Sequence, residues 1–354
     1  MLSPRITFGV IVLNGEPFTR YNLRALYPFA HEIIVVEGAS PHAASAAGAD
    51  GHSADGTLEC LRRFKLEEDP EDKLRIVTAE DEGHTNGFWP GEKDEQSRAY
   101  ARRATGNWLW QIDIDEFYRP EDMQAICELL SSRSDLAAVS FNQIQFWGGL
   151  DYMVDGWYLR YHSGREFHRL FRWGPGYSYA THRPPTVLDE RGHDLRRKQW
   201  LSGAEMARSG IYLYHYSLVF PFQVGAKSRY YSSIFGRQAE WADHYYMRLR
   251  NPYRVHNVHA YPSWLERYEG DHPPQVEQLW SDVNLVGNIE LRQNEDVERL
   301  IDSIPYRFGR ARLKIVGAAY YQVRRLVIRA FRALPISARN RLRRLRPAMA
   351  RMSK

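Results

Sequence analysis

Residues Trp108–Tyr118 read WLWQIDIDEFY. Side chains of an extended strand alternate between two faces. Trp108, Trp110, Ile112 and Ile114 then share one face, and Leu109, Gln111, Asp113 and Asp115 share the other. The first is a core face. The second is predicted to end in two carboxylates that point the same way, with Glu116 beside them. Like charges so placed repel unless a cation or solvent sits between them. A hard divalent ion such as Mg2+ or Mn2+ takes oxygen ligands in this arrangement and keeps positions open for substrate phosphates. A solvated acidic turn after a strand is the alternative reading of the same residues. In open α/β sheets, ligands bind beyond the carboxyl ends of the strands.

Upstream, Ile6–Leu13 (ITFGVIVL) is apolar and β-branched, as a strand covered on both faces should be. Asn14-Gly15-Glu16-Pro17 breaks it, Phe18–Tyr27 has helical spacing of Leu23, Leu26 and Tyr27, and Glu32–Gly38 (EIIVVEG) is a second buried strand. This is a βαβ opening, with right-handed crossover expected. Ala39–Gly51, rich in Ala, Gly and Ser, reads as a loop insertion before HSADGT. Helices are predicted at Thr57–Phe64, Asp94–Thr105 and Pro120–Ser131, and a third strand at Leu74–Thr78. From Ala137 onward, aromatic mixed segments such as AVSFNQIQFW and FHRLFRW predict an antiparallel addition to the sheet. Ile211–Phe222 reads as a strand, Gln223–Ala242 as helical, Asn251–Pro274 as a long loop, and Val276–Ile301 as one or two helices.

The chain has 354 residues, 44% of them hydrophobic, enough for one large core or a main domain with an appendage. Its two cysteines, Cys60 and Cys127, form no metal or disulfide spacing, which suits a reducing cytosol. No secretory signal opens the chain, and no apolar run is long enough to span a bilayer. The net charge of +5 conceals an asymmetry. No acidic residue follows Asp302, while residues 307–354 hold 15 of the 48 Lys and Arg. Residues 1–302 carry 33 basic against 43 acidic residues, a net charge of −10.

Three of these stretches together resemble the GT-A glycosyltransferases, family 2 in particular. They are VIVLNGEP followed by EIIVVEG, SADGT (Ser53–Thr57), and RRATGNWLWQIDIDE with its Asp-x-Asp. The resemblance implies a mixed α/β sheet flanked by helices, here with a C-terminal helical extension: a nucleotide-sugar and acceptor domain over 1–245, a loop and helical extension over 246–302, and a basic amphipathic tail over 303–354. It also implies a nucleotide base and ribose held by Leu13, Asn14 and Glu37, with Arg98 or Gln96 near the nucleotide and Asp113 and Asp115 on a Mn2+ or Mg2+ ion. Two departures stand out. The second strand ends in Glu37 where the family has Asp, and about a dozen residues separate it from SADGT. Asp55 is expected to cap the helix that starts near Thr57.

In the second half, HRPPTVLDERG (His182–Gly192) lies where related enzymes place an acidic base after a His. Arg183 occupies that spot here, leaving His182, Asp189 and Glu190, with Asp189 favoured; a polar turn is the other reading. Tyr212–Ser232 resembles the family's late His-Tyr-Ser…Lys…Tyr pattern, which makes His215 a further metal ligand and sets Lys227 against diphosphate charge. A buried, satisfied histidine is the alternative. Trp147, Trp157, Tyr158, Trp173, Tyr177 and Tyr179 could stack on sugar rings or fill the core.

The tail alternates Arg pairs with apolar residues, so a helix there has one basic and one apolar face. This suits residues 310–354 lying on an anionic membrane; docking on the body and nucleic-acid binding are the alternatives, and no nucleic-acid module accompanies it. The expected function is metal-dependent, inverting transfer of a sugar from a nucleotide-diphosphate sugar to a glycan or lipid-linked acceptor, at the cytoplasmic face of the membrane and in polysaccharide biosynthesis. A nucleotidyltransferase or an inactive nucleotide-sugar-binding protein with a basic interaction tail are the alternatives. LNGEPFTR lacks the Gly-rich phosphate loop that the first of these would carry.

Overall fold

The computed structural model describes residues 3–91, 93–162, 166–235, 241–256 and 261–333. The chain divides into two compact units, Met1–Glu298 and Arg299–Lys354. In the first unit the opening elements are β1 (Ile6–Val12), α1 (Thr19–Leu26), β2 (Glu32–Glu37), α2 (Thr57–Glu67), β3 (Leu74–Val77), α3 (Lys93–Arg103) and β4 (Trp108–Asp113). After β4 come β5 (Glu116–Phe117), α4 (Pro120–Ser132), β6 (Ala138–Phe141), β7 (Gln143–Trp147), β8 (Tyr152–Gly156), α5 (Trp157–Tyr161), β9 (Phe167–Arg172), β10 (Ser178–His182), β11 (Pro185–Leu188) and β12 (Trp200–Leu201). The remainder is α6 (Gly203–Arg208), β13 (Leu213–Leu218), α7 (Pro221–Phe235), β14 (Ser263–Arg267), α8 (Pro274–Val286), α9 (Glu295–Asp302), which crosses into the second unit, and α10 (Ile304–Ala333) within it.

Among the described residues the main sheet runs β12-β6-β9-β4-β1-β2-β3, and a second sheet runs β14-β8-β7-β13-β5. The β1 to β4 block is parallel, and β9 turns the sheet antiparallel by pairing with both β4 and β6. This is a mixed α/β sheet flanked by helices.

Both faces of the block are covered, which is why its strands are apolar throughout. Phe8, Val10, Val35, Trp108, Trp110 and Ile112 belong to one core cluster, and Ile34, Val36, Leu109 and Tyr100 to the other. Trp110 stacks on Phe141 with ring centroids 5.6 Å apart. Gly9 interrupts the apolar run of β1 for a steric reason: a Cβ there would lie 2.5 Å from the Tyr100 ring of α3.

Two expectations change. Ser263–Arg267 lies in the stretch read as loop, yet it is a strand pairing with β8. Residue 246 is no boundary of compaction, since α8 packs on α1 within the first unit and Tyr21 Oη donates to Asp282 Oδ2 at 2.6 Å. Polar and aromatic residues around a short strand hide its alternation, so length and spacing alone misread it.

The topology prepares a cleft. β2 lies on one side of β1 and β4 on the other, so the chain reverses its direction of travel across the sheet between β1 and β4. Crevices for ligands open at such a switch point, beyond the strand carboxyl ends. Register sets Ile11 beside Asp113 and Val12 beside Glu37, which brings the ends of all three strands to one edge.

Candidate active site

β4 stops at Asp113, and Ile114 and Asp115 turn out of the sheet before β5. The face alternation therefore ends between the two aspartates, and the expectation that they point the same way fails: each meets its own cation. Asp113 Oδ2 accepts from Arg169 Nη2 of β9 at 3.2 Å, and the same nitrogen donates to Glu116 Oε1. The Asp113 backbone N–H donates to Glu116 Oε2 at 3.1 Å. Burial opposes the Asp113 charge, yet Arg169 and then Lys93 hold its carboxyl well below the usual carboxylate range. Burial pushes Glu116 upward against the pull of Arg169.

Asp115 belongs to a second cluster. Its Oδ2 accepts from Lys227 Nζ at 2.8 Å and Gln223 Nε2 at 3.2 Å, both on α7. Burial again works against ionisation, and Lys227 and His215 together outweigh it, keeping Asp115 well below the carboxylate range. Its Oδ1 faces His215 Nε2 of β13 at 3.4 Å. His215 Nδ1 lies 3.1 Å from Gln143 Oε1. The Asp113 side chain is 26% exposed against 9% for Asp115, so Asp113 is the member open to an incoming ligand.

A divalent cation finds a partial donor set here. Among the described residues no three His, Cys, Asp or Glu side chains converge as a metal group. A pair does: His215 Nε2 and Asp115 Oδ1 lie 3.4 Å apart, and an ion would take that nitrogen as neutral imidazole. Adjacent ligands on an ion with bonds of about 2.1 Å lie roughly 3 Å apart, and Mg2+-like ions commonly take one or two protein ligands and fill the rest with phosphate and water. Lys227 and Gln223 occupy Oδ2, while Oδ1 is on the side of His215 Nε2. The donor set fits.

The remaining predicted residues are placed differently. Leu13 follows β1 half-buried, and Asn14 next to it adopts a left-handed φ of 54°. Asn14 Nδ2 donates to Ala46 O at 2.6 Å, and Asn14 Oδ1 accepts from Ala54 N at 2.8 Å. Glu37 is fully buried, with Oε1 accepting from Ser53 N at 2.7 Å and Oε2 facing His52 Nδ1 at 2.7 Å. The expected base contact at Glu37 is thus corrected: both its oxygens serve the chain's own 39–53 segment. Asp55 Oδ1 accepts from Thr57 N at 3.1 Å at the start of α2, a helix-end role.

Gln96 Nε2 donates to Gly38 O at 2.9 Å, an internal tie between α3 and the end of β2. Arg98 donates to Ala180 O at 3.0 Å and lines a cavity with Arg5 and Asn107. Those two residues precede β1 and β4, so Arg98 opens toward the far end of the sheet and not toward the edge where β1, β2 and β4 end. His182 is buried, with Nδ1 3.0 Å from Ser97 Oγ and its backbone N–H donating to Asp94 Oδ1 at 2.6 Å. Burial, then Lys93, pull its pKa down to about 2, which makes it a poor proton acceptor near neutral pH. Asp189 accepts from the backbone of Arg191 at 2.9 Å and His193 at 2.8 Å and from Lys198 Nζ. It is a turn carboxylate, so neither expected base stands. Trp147, Trp173 and Tyr179 are core.

No protein-family model matches the chain, and no curated protein matches it. Solved structures overlap it weakly. S. aureus TarS 1-349 is 12% identical, with 72% of this chain and 75% of that chain covered and a TM-score of 0.36. The same TarS fragment in complex with UDP-GlcNAc is 16% identical over 40% of this chain and 35% of that one, at 0.30. Glucosyl-3-phosphoglycerate synthase from Mycobacterium tuberculosis, in complex with Mn2+, UDP and phosphoglyceric acid, is 18% identical over 41% and 43%, at 0.28. In four alignments to structures of these two proteins the chain spans only 21% to 43% of their length. At such scores the likeness decides nothing about this chain.

Arg169 is the site residue that sequence reasoning passed over. Its signal was an arginine inside the apolar strand FHRLFRW, where a buried guanidinium requires carboxylate partners. Gln223 had no such signal: an amide on a helix is ordinary until the fold points it at Asp115.

Proposed function

We propose that this chain is a glycosyltransferase of the GT-A type, family 2-like, moving a sugar from a nucleotide-diphosphate sugar to a glycan or lipid-linked acceptor with inversion. The observation that supports it best is the Asp115 Oδ1 and His215 Nε2 pair, beside Asp113, at the β1/β4 switch point. Those two atoms would hold a Mn2+ or Mg2+ ion, with Asp113 alongside. A bound ion supplies Lewis-acid neutralisation of the charge that develops on the leaving diphosphate. The chain's own residues do the rest of the electrostatic work. Gln143 would accept from His215 Nδ1 and so turn Nε2 to the ion, Lys227 orients Asp115 and adds positive charge next to the ion's position, and Arg169 keeps Asp113 ionised and aimed.

The test is a panel of uridine, guanosine and thymidine diphosphate sugars with Mn2+. One of them should raise Tm, since a ligand at 100 times its Kd adds about 2.7 kcal/mol, and should be hydrolysed slowly without acceptor. Chelation should cancel both effects. A panel in which no nucleotide sugar shifts Tm or turns over would refute the reading.

We also propose that α10 lies on an anionic lipid surface. It is a 30-residue helix carrying eight Arg and Lys and no acidic residue. At 100° per residue Ile304, Phe308, Ile315, Val323, Leu326 and Val327 fall in one arc, interrupted by Arg312, and Arg307, Arg310, Lys314 and Arg325 in the opposite one. The apolar arc is open: Phe308 is 78% exposed and Val327 61%. No described helix is long and apolar enough to cross a membrane. Anionic headgroups complement the basic arc. The rest of the expected surface, residues 334–354, lies outside the described residues. Phosphatidylcholine vesicles containing phosphatidylglycerol should float the full chain, less so at high salt, and should not float a chain ending at residue 303. Equal flotation of the two chains, or equal flotation by pure phosphatidylcholine, would exclude this role.

A further inference from the structure

The 39–53 segment joins the two ends of the candidate site. At one end it is fastened to β1 and β2: Ser53 Oγ accepts from Asn14 N at 2.9 Å, Ser53 N donates to Glu37 at 2.7 Å, and Ala39 N donates to Gly51 O at 2.8 Å. Gly51 has a left-handed φ of 82°, and a Cβ there would lie 2.2 Å from Gly87 O, so the segment is also clamped against the loop before α3. At the other end its short helical turn, Pro41–Ala46, packs on α7. α7 in turn carries Gln223 and Lys227 onto Asp115. The central fastening is His52. Its Nδ1 lies 2.7 Å from Glu37 Oε2 and its Nε2 lies 3.3 Å from Glu80 Oε1. With a carboxylate at each ring nitrogen, only the imidazolium donates to both.

We propose that His52 is a positioning residue: as an imidazolium clasped between Glu37 and Glu80, it holds the 39–53 segment so that α7 keeps Lys227 and Gln223 on Asp115. The link from α7 to catalysis rests on the glycosyltransferase reading, while the mechanical coupling does not. The charged groups facing His52 are Glu37 from β2, Glu80 from the turn after β3, and Asp50 from its own segment. Burial works against the charge, but Glu37, Glu80 and Asp50 outweigh it and raise the His52 pKa above its ordinary value. The sign follows. A raised histidine stabilises the clasp fully below its unfolded pKa, about 6.5, and loses that contribution as pH climbs through the raised value.

Amide hydrogen exchange of the full chain, corrected for intrinsic rates, reads this without any substrate. Between pH 6 and 9, protection of residues 39–53 and of residues 221–230 in α7 should fall together and by the same factor. His52→Gln should start at the low level for both and show no pH response. Glu80→Gln, which keeps the histidine and removes one carboxylate, should shift the midpoint to lower pH. The clasp is wrong if 39–53 loosens while α7 stays protected, or if the Glu80→Gln midpoint equals that of the wild type. Hydrolysis assays on the same proteins then separate the two claims: coupled exchange without any nucleotide-sugar turnover would retain the clasp and remove the enzyme.

Discussion

Asp115→Asn is expected to lower Mn2+-dependent hydrolysis of the preferred nucleotide sugar by roughly 100-fold or more. Residues that merely orient a metal ligand already cost about 10–100-fold, and this substitution removes the ligand's charge itself. It also leaves Lys227 and His215 facing a neutral amide where they now face a carboxylate at 2.8 and 3.4 Å. The measurement is the initial rate across a Mn2+ titration, with Tm recorded in parallel to show that the variant is folded. Chelated wild-type protein and the variant should reach the same residual rate, because both lack the ion. A variant that keeps the wild-type Mn2+ response would place the cation somewhere other than Asp115 and His215.

Arg169→Met should produce the largest loss of stability, about 3–5 kcal/mol, the usual cost of breaking a buried ion pair from one side. Arg169 and Glu116 are 7% and 0% exposed, so the abandoned Glu116 carboxylate finds almost no water. For a body of this size that loss corresponds to a Tm lower by on the order of 10 °C. Adding Glu116→Gln should restore more than half of it, because the second change removes the unpaired charge. If the two substitutions simply add, the pair is not the source of the stability. A smaller effect on nucleotide-sugar binding should accompany the first variant, since Asp113 loses its 3.2 Å partner.

Much of the scaffold could be read directly. Continuous apolar runs in β1 and β2 announced strands buried on both faces, and the indole–isoleucine alternation in Trp108–Ile112 assigned one core face correctly. Helix spacing located α1, α2, α3 and α4 to within a few residues. The site was read less well, for a reason that can be stated atom by atom. The alternation that placed Asp113 and Asp115 on one face holds only while the backbone stays extended, and β4 ends between them. Glu37 and Asp189 looked like free carboxylates because nothing local marks a carboxylate as spent. Their partners, Ser53 and His52 for one, Arg191, His193 and Lys198 for the other, are recruited by loop closure.

The amino-acid order by itself determined the strands of the β1–β4 block, that an acidic pair closes the fourth of them, and that all net positive charge gathers after Asp302. These are properties of neighbours along the chain, set by periodicity and composition. Only the tertiary structure decided which cation each carboxylate meets. Arg169 reaches Asp113 across 56 residues of chain and Lys227 reaches Asp115 across 112. Electrostatic pairing depends on distance in space and on the exclusion of water, and neither is written in the spacing of residues along the backbone.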